Sequence, residues 1–154
     1  MNVPHFEQEL DYSCLPACVR MVLAFHGKSA TESELRALLK TRPGGTSPLR
    51  LMIRLPDVGF EAHVYTGSQA DLRACLTAGQ PCIVHVWTLP LPHWDSEAIH
   101  ALVVSDISAE SAWIHDPALP YGPTEIPLAD FLRAWSATDH LMITITPSEP
   151  NAGT

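Results

Sequence analysis

Residues 5–27, HFEQELDYSCLPACVRMVLAFHG, decide how the rest of the chain is read. From Cys14 onward the residues Ala17, Cys18, Met21, Val22 and Phe25 recur at steps of three and four, drawing one apolar stripe along a helix over 14–26. Ser13 is a natural N-cap, Pro16 is tolerated in the first turn, and Gly27 suits the position just past the helix end. Cys14 therefore stands at the start of an amphipathic helix. Unpaired N–H groups and the positive end of the helix dipole stabilise a thiolate there. Cys14 is either a small packed side chain or a nucleophile; Cys18, one turn further in, lacks that placement.

The elements that follow set the fold class. SATESELRALLK (29–40) reads as a second helix, with Thr31 capping and Glu34 completing a capping box. TRPGGTSP (41–48) is a loop, and LRLMIRLPDVG (49–59) a short third helix ending at Gly59. FEAHVYTG (60–67) alternates as a strand, with Phe60, Ala62 and Val64 on one face. A short helix over 68–79 stops at Gly79. Three strand-like runs come next, PCIVHVWTL (81–89), HALVVSDIS (100–108) and SAWIHDP (111–117). TEIPLADFLRAW (124–135) gives a strand end and a helix, and HLMITITP (140–147) a last strand. Helices first and then mostly strands in meander-like succession predict an α+β fold, helices packed on an antiparallel sheet. Residues 1–146 are expected to form a single domain and 147–154 a polar, flexible tail.

Composition bounds the function. The chain has 154 residues, 46% hydrophobic and 17% charged, enough to bury a core. Its formal net charge is −8, with 9 Lys+Arg against 17 Asp+Glu, and no basic run is interleaved with aromatics. That argues against a nucleic-acid partner and against an anionic membrane surface. No apolar run is long enough for a membrane span, and the first residues carry no secretory signal pattern. Four cysteines, at 14, 18, 75 and 82, are too few for a disulfide scaffold; the expected state is free thiols in the cytoplasm. Their spacing lacks the C-x-x-C of structural zinc sites, so no metal is expected, and no cofactor.

A thiol nucleophile needs a histidine base, and the base needs an orienting group. His100 opens its run at a loop-to-strand junction, and Asp116 ends the next run, directly before Pro117. Adjacent antiparallel strands bring the start of one beside the end of the next, so His100 and Asp116 fit one site. Gln8, six positions before Cys14, could join the Cys14 backbone N–H as a donor to an oxyanion. Among the other histidines, His85 in the middle of IVHVW is a rival base or a buried hydrogen-bonded residue. His115 faces away from Asp116 by the period of a strand, and His26, His63, His93 and His140 read as surface. Cys75 and Cys82 read as small core residues, and the four tryptophans as core, Trp94 least so.

QELDYSCLPACVRMVLAFHG resembles the opening of the C39 family of papain-like cysteine peptidases. That family includes bacteriocin-processing domains of certain ABC exporters and stand-alone C39-like proteins. The resemblance lies in glutamine six before the cysteine, alanine three and methionine seven after it, and an aromatic before the helix-ending glycine. GGTSPLRLMIRLPDVGFEAHVY (44–65) resembles the family's middle segment; PCIVHVW, HALVVSDIS and WIHDPA resemble its closing strands. The similarity runs over residues 3 to 145. It implies a papain-like fold and a peptide or protein substrate, with Cys14 as nucleophile, His100 as base, Asp116 as orienter and Gln8 as oxyanion donor. Two departures stand out. Leu15 replaces the glycine usual after the cysteine in exporter-linked members, and TLPLPHWDSEAI (88–99) adds a proline-rich loop before His100. That loop is a lid, a specificity wall or an ordinary surface loop. Three functions stay open: a peptidase working through a thioester, an acyltransferase or amidase using the same triad, and a non-catalytic peptide-binding module.

Overall fold

The computed structural model describes residues 1–150. Its elements follow the order α1 (Cys14–Phe25), α2 (Glu32–Leu38), α3 (Leu49–Arg54), β1 (Phe60–Thr66), α4 (Gln69–Thr77), β2 (Cys82–Trp87), β3 (Ile99–Ile107), β4 (Ser111–His115), β5 (Thr124–Pro127), α5 (Leu128–Ser136) and β6 (Leu141–Pro147). A 3₁₀ turn, Leu55–Val58, continues α3. Gly27, Gly59 and Gly79 end their segments at positive φ, where a side chain would be strained. The expected α+β fold, with the Cys14 helix against an antiparallel sheet, is what forms.

All six strands join one sheet in the order β1-β6-β2-β3-β4-β5. Strands β2 to β5 are a meander, as their alternation implies. The last strand departs from it, because β6 inserts between β1 and β2 and pairs antiparallel with both. Each face is covered separately. On one, Leu15, Val19, Val22 and Leu23 of α1 pack with Leu35 and Leu51 onto Ile83, Val103 and Ile143. On the other, Leu72 of α4 and Phe131 and Trp135 of α5 cover Val84, Leu102 and Ile114. Sheet period two assigns alternate residues of β2 and β3 to the two cores, so both strands read as continuous apolar runs.

Two details position the site. The register Val103↔His115 puts the first residues of β3 beside the end of β4. A bulge on β3 between Val104 and Asp106 inserts Ser105, so the register differs on its two sides. At the helix end, Ser13 occupies the cap position but its side chain does not cap. Its hydroxyl accepts from Leu10 N–H at 3.0 Å and faces Leu10 O and the buried Glu32 carboxylate at 2.9 and 3.1 Å. The first N–H groups of α1 thus lack the partner expected from sequence. Thr31 does cap α2, accepting from Glu34 N–H, and Ser68 with Asp71 forms the reciprocal box at α4. Beyond β6, the Ser148 N–H bonds Gly59 O at 2.9 Å; residues 151–154 of the expected tail lie outside the described residues.

Candidate active site

Three of the four residues singled out in the sequence meet at the N-terminus of α1. Cys14 is half-buried and lines one cleft with the imidazole of His100, whose proximity favours its thiolate. His100, 6% exposed on the second residue of β3, lies with Nε2 at 2.6 Å from Oδ1 of Asp116. A carboxylate only accepts, so Nε2–H donates to Asp116 and Nδ1 is left for the sulfur. Asp116 is fully buried one residue past β4. Its Oδ1 also accepts from Ala118 N–H at 2.9 Å.

The ionisation of these groups follows from their neighbours. Burial pushes the Cys14 thiol up, but the His100 hydrogen bond and charge, with N–H groups of Ala101 and Leu15, bring it below its ordinary value. Burial likewise opposes the imidazolium of His100, and hydrogen bonds to Asp116 and Cys14 outweigh it, raising His100 to about 9. Asp116 is pushed up by burial and carried well below the carboxylate range by hydrogen bonds from His100 and His93. These contacts favour a thiolate on Cys14, an imidazolium on His100 and a carboxylate on Asp116. Cys18 behaves oppositely. Fully buried, with Cys14 and Asp116 nearby, it is raised well above an ordinary thiol and stays protonated.

Gln8 lines the same cleft, of about 450 Å³, together with Tyr12, Cys14, Gly45, Trp94 and His100. Its backbone N–H bonds Pro117 O at 2.7 Å, tying it to the Asp116 loop. Its Nε2 donates one N–H to Leu10 O at 2.7 Å, which fixes the amide's orientation, while Oε1 is buried without a partner. The turn around Leu10 is braced by Glu32, which accepts from Glu9 N–H at 3.0 Å and from Arg36 Nε at 2.9 Å.

Other sequence expectations need correction. His93, read as surface, lies with Nε2 2.7 Å from Asp116 Oδ2, and Trp94 Nε1 donates to the same oxygen at 2.8 Å. Nothing in the local pattern of TLPLPHWDSEAI marks a contact 22 residues away; the one signal was Trp94, the tryptophan least suited to the core. His26 and His140 are only partly exposed, the first bonding Ile145 O at 3.2 Å and the second packing on Trp135 at 4.5 Å between centroids. His85 is half-buried, and among the described residues its ring has no hydrogen bond; burial and the His100 charge lower it to about 4. It lines the cleft side of Cys14 as a neutral ring. His115 is buried and bonds His5, Nδ1 to Nδ1, at 3.0 Å. Cys82 is buried with its thiol facing Gln80 O at 3.8 Å, and Cys75 is half-buried rather than core.

Among the described residues no three His, Cys, Asp or Glu side chains group to hold a metal ion, and no helix is long and apolar enough to cross a membrane. The constellation can place a thiolate and a proton donor on either side of a carbonyl carbon.

Comparison with known proteins agrees with that geometry. The chain is 25% identical over 134 residues to the lactococcin-G-processing and transport ATP-binding protein LagD of Lactococcus lactis subsp. lactis, covering 84% of this chain. It is 30% identical over 139 residues to the pediocin PA-1 transport/processing ATP-binding protein PedD of Pediococcus acidilactici, covering 88%. The chain spans only 17% of the length of each. The crystal structure of the peptidase domain of Streptococcus ComA, a bi-functional ABC transporter of a quorum-sensing pathway, shares the fold with a TM-score of 0.79. Sequence identity there is 24%, over 96% of this chain and 100% of that one. The description "Peptidase C39 family" matches residues 2–149, and the chain belongs to that family of cysteine peptidases.

Proposed function

We propose that this chain is a cysteine peptidase that hydrolyses a bond in a peptide or protein substrate. Cys14 is the nucleophile, His100 the base and acid, Asp116 its orienter and Gln8 an oxyanion donor. The observation that carries the reading is that Cys14 and His100 line one cleft while the His100 ring is bonded at 2.6 Å to the buried Asp116 carboxylate. Residues 1–146 are the catalytic unit of this proposal. A cytoplasmic location belongs to it as well, supported by four free thiols.

The reaction starts from the thiolate–imidazolium pair. Sulfur attacks the scissile carbonyl carbon, a C–S bond forms, and the carbonyl oxygen takes up negative charge. Helix-start N–H groups left uncapped by Ser13, with the second N–H of the Gln8 amide, stabilise that oxygen. The tetrahedral species collapses, the C–N bond breaks, and His100 hands its Nδ1 proton to the leaving amine. Water then attacks the thioester while His100 takes its proton. Collapse releases the carboxylic acid and restores the pair.

The test is cleavage of a proteome-derived peptide mixture, read as new amino termini by mass spectrometry. Wild-type protein should generate them, and Cys14→Ala and His100→Ala, folded by circular dichroism, should not. Cleavage that persists in Cys14→Ala refutes the assignment, and so does wild-type protein that is folded and inert. Fragments joined to an added amine rather than to water would make the chain a transferase.

A further inference from the structure

Two side chains of the loop between β2 and β3, His93 and Trp94, both end on Asp116. The loop is fixed rather than free. Thr88 is fully buried and bonds Ser96 O at 2.7 Å and Ala98 N–H at 2.9 Å through its hydroxyl. Leu91, 1% exposed, anchors the middle in the α5-side core. From that frame His93 Nε2 and Trp94 Nε1 both reach Oδ2, while His100 Nε2 and Ala118 N–H reach Oδ1. The Trp94 ring lies 4.8 Å from the His100 ring, tilted by 59°. The same indole therefore touches both members of the base pair.

We propose that His93 and Trp94 are positioning residues that hold the outer oxygen of Asp116, restricting it to His100 through Oδ1 and setting how tightly it retains the imidazolium proton. This inference rests on the peptidase reading of the preceding section. A buried carboxylate that accepts more hydrogen bonds is less basic. Two donors on Oδ2 draw charge from the oxygen facing His100, which eases release of the proton to the leaving amine. The indole over the ring limits imidazole rotation and keeps water off the Nε2–Oδ1 bond. The groups facing His100 are Cys14 from α1, Asp116 from the end of β4, His85 from β2 and Trp94 from the loop, with His93 facing it through Asp116.

The test follows the rate of Cys14 alkylation by iodoacetamide against pH, located by peptide mapping, in Trp94→Phe, His93→Leu and His93→Gln. Wild type should show two steps, thiolate formation below the ordinary thiol range and an upper step when His100 deprotonates. Trp94→Phe keeps a ring over His100 but loses the donor, and His93→Leu loses the other. Each should move the upper step upward by roughly half a pH unit, estimated from the effect of a few hydrogen bonds on a carboxylate. His93→Gln, which retains an N–H, should stay near wild type. On any peptide the enzyme cleaves, the first two variants should lower kcat with little change in KM. A purely structural role would lower the melting temperature and leave the upper step in place; that result, or a downward shift, in either folded variant overturns the inference. A wild-type curve with one step at an ordinary thiol pKa would instead sink the peptidase reading itself.

Discussion

Replacing Asp116 by Asn probes the electrostatics of the site while preserving its shape. Four donors converge on the wild-type carboxylate, from His100 and Ala118 on one oxygen and His93 and Trp94 on the other. An amide offers one accepting oxygen, so its NH₂ faces one histidine, which can change tautomer and accept, and one N–H of Ala118 or Trp94 that is stranded. At about 1–3 kcal/mol for that stranded group, the variant should lose roughly that much stability. The charge matters separately. His100 stands at about 9 against an ordinary 6.5, a difference worth roughly 3 kcal/mol to the imidazolium, shared between Asp116 and Cys14. Without Asp116 the imidazolium weakens, and the thiolate it supports becomes harder to form. Chemical denaturation measures the first effect, and pH-dependent iodoacetamide labelling mapped to Cys14 the second. The lower step of the labelling curve should move up toward an ordinary thiol value. An Asp116→Asn protein as stable as wild type, with an unmoved curve, would refute this reasoning.

Other expectations follow from single contacts. Gln8→Ala should lower kcat by about 10²–10³ with a near-unchanged KM if its second N–H serves the oxyanion, which steady-state kinetics on a cleaved peptide will read. Glu32→Ala removes the acceptor of Glu9 N–H, while Arg36 keeps Glu9 and the Ser13 hydroxyl keeps Leu10 O; urea unfolding should show a loss of about 1–3 kcal/mol. Trp135→Ala empties the α5-side core of a fully buried ring and should cost about 3–5 kcal/mol by the same assay. The raised pKa of His100 contributes stability in full below its unfolded value of 6.5 and loses it as pH rises through about 9. Wild-type stability should therefore fall over that window, and less steeply in Asp116→Asn. Asp116, held low, contributes above the unfolded carboxylate pKa of 3.8 and loses that contribution only as pH falls below it.

Local pattern carried much of this fold. The stripe from Cys14 to Phe25 and the strand runs around His100 and Asp116 each encode their own period, and the register of β3 with β4 follows from a tight connection between them. Cys14, His100 and Asp116 were therefore legible, since each sits at an element boundary that the sequence marks. The placement of β6 was not, because insertion between β1 and β2 is decided by which edges need covering, which no local period records. Ser13 shows a subtler limit. Its residue type predicts a cap, yet its oxygen accepts from Leu10 N–H instead, its proton faces Leu10 O and Glu32, and the helix start is left without a side-chain cap beside the cleft. His93 failed for a related reason. A histidine in a proline-rich loop looks solvated until the loop folds back and the buried Asp116 claims its N–H.

The most direct check is the intact mass of the Cys14-containing peptide, isolated under acid after brief exposure of the enzyme to the peptide mixture. A thioester adduct on that sulfur, released by hydroxylamine and matched by a freed amine fragment, is the expected result. Fragments released with Cys14 never modified, or an adduct carried on Cys75 instead, would contradict the account.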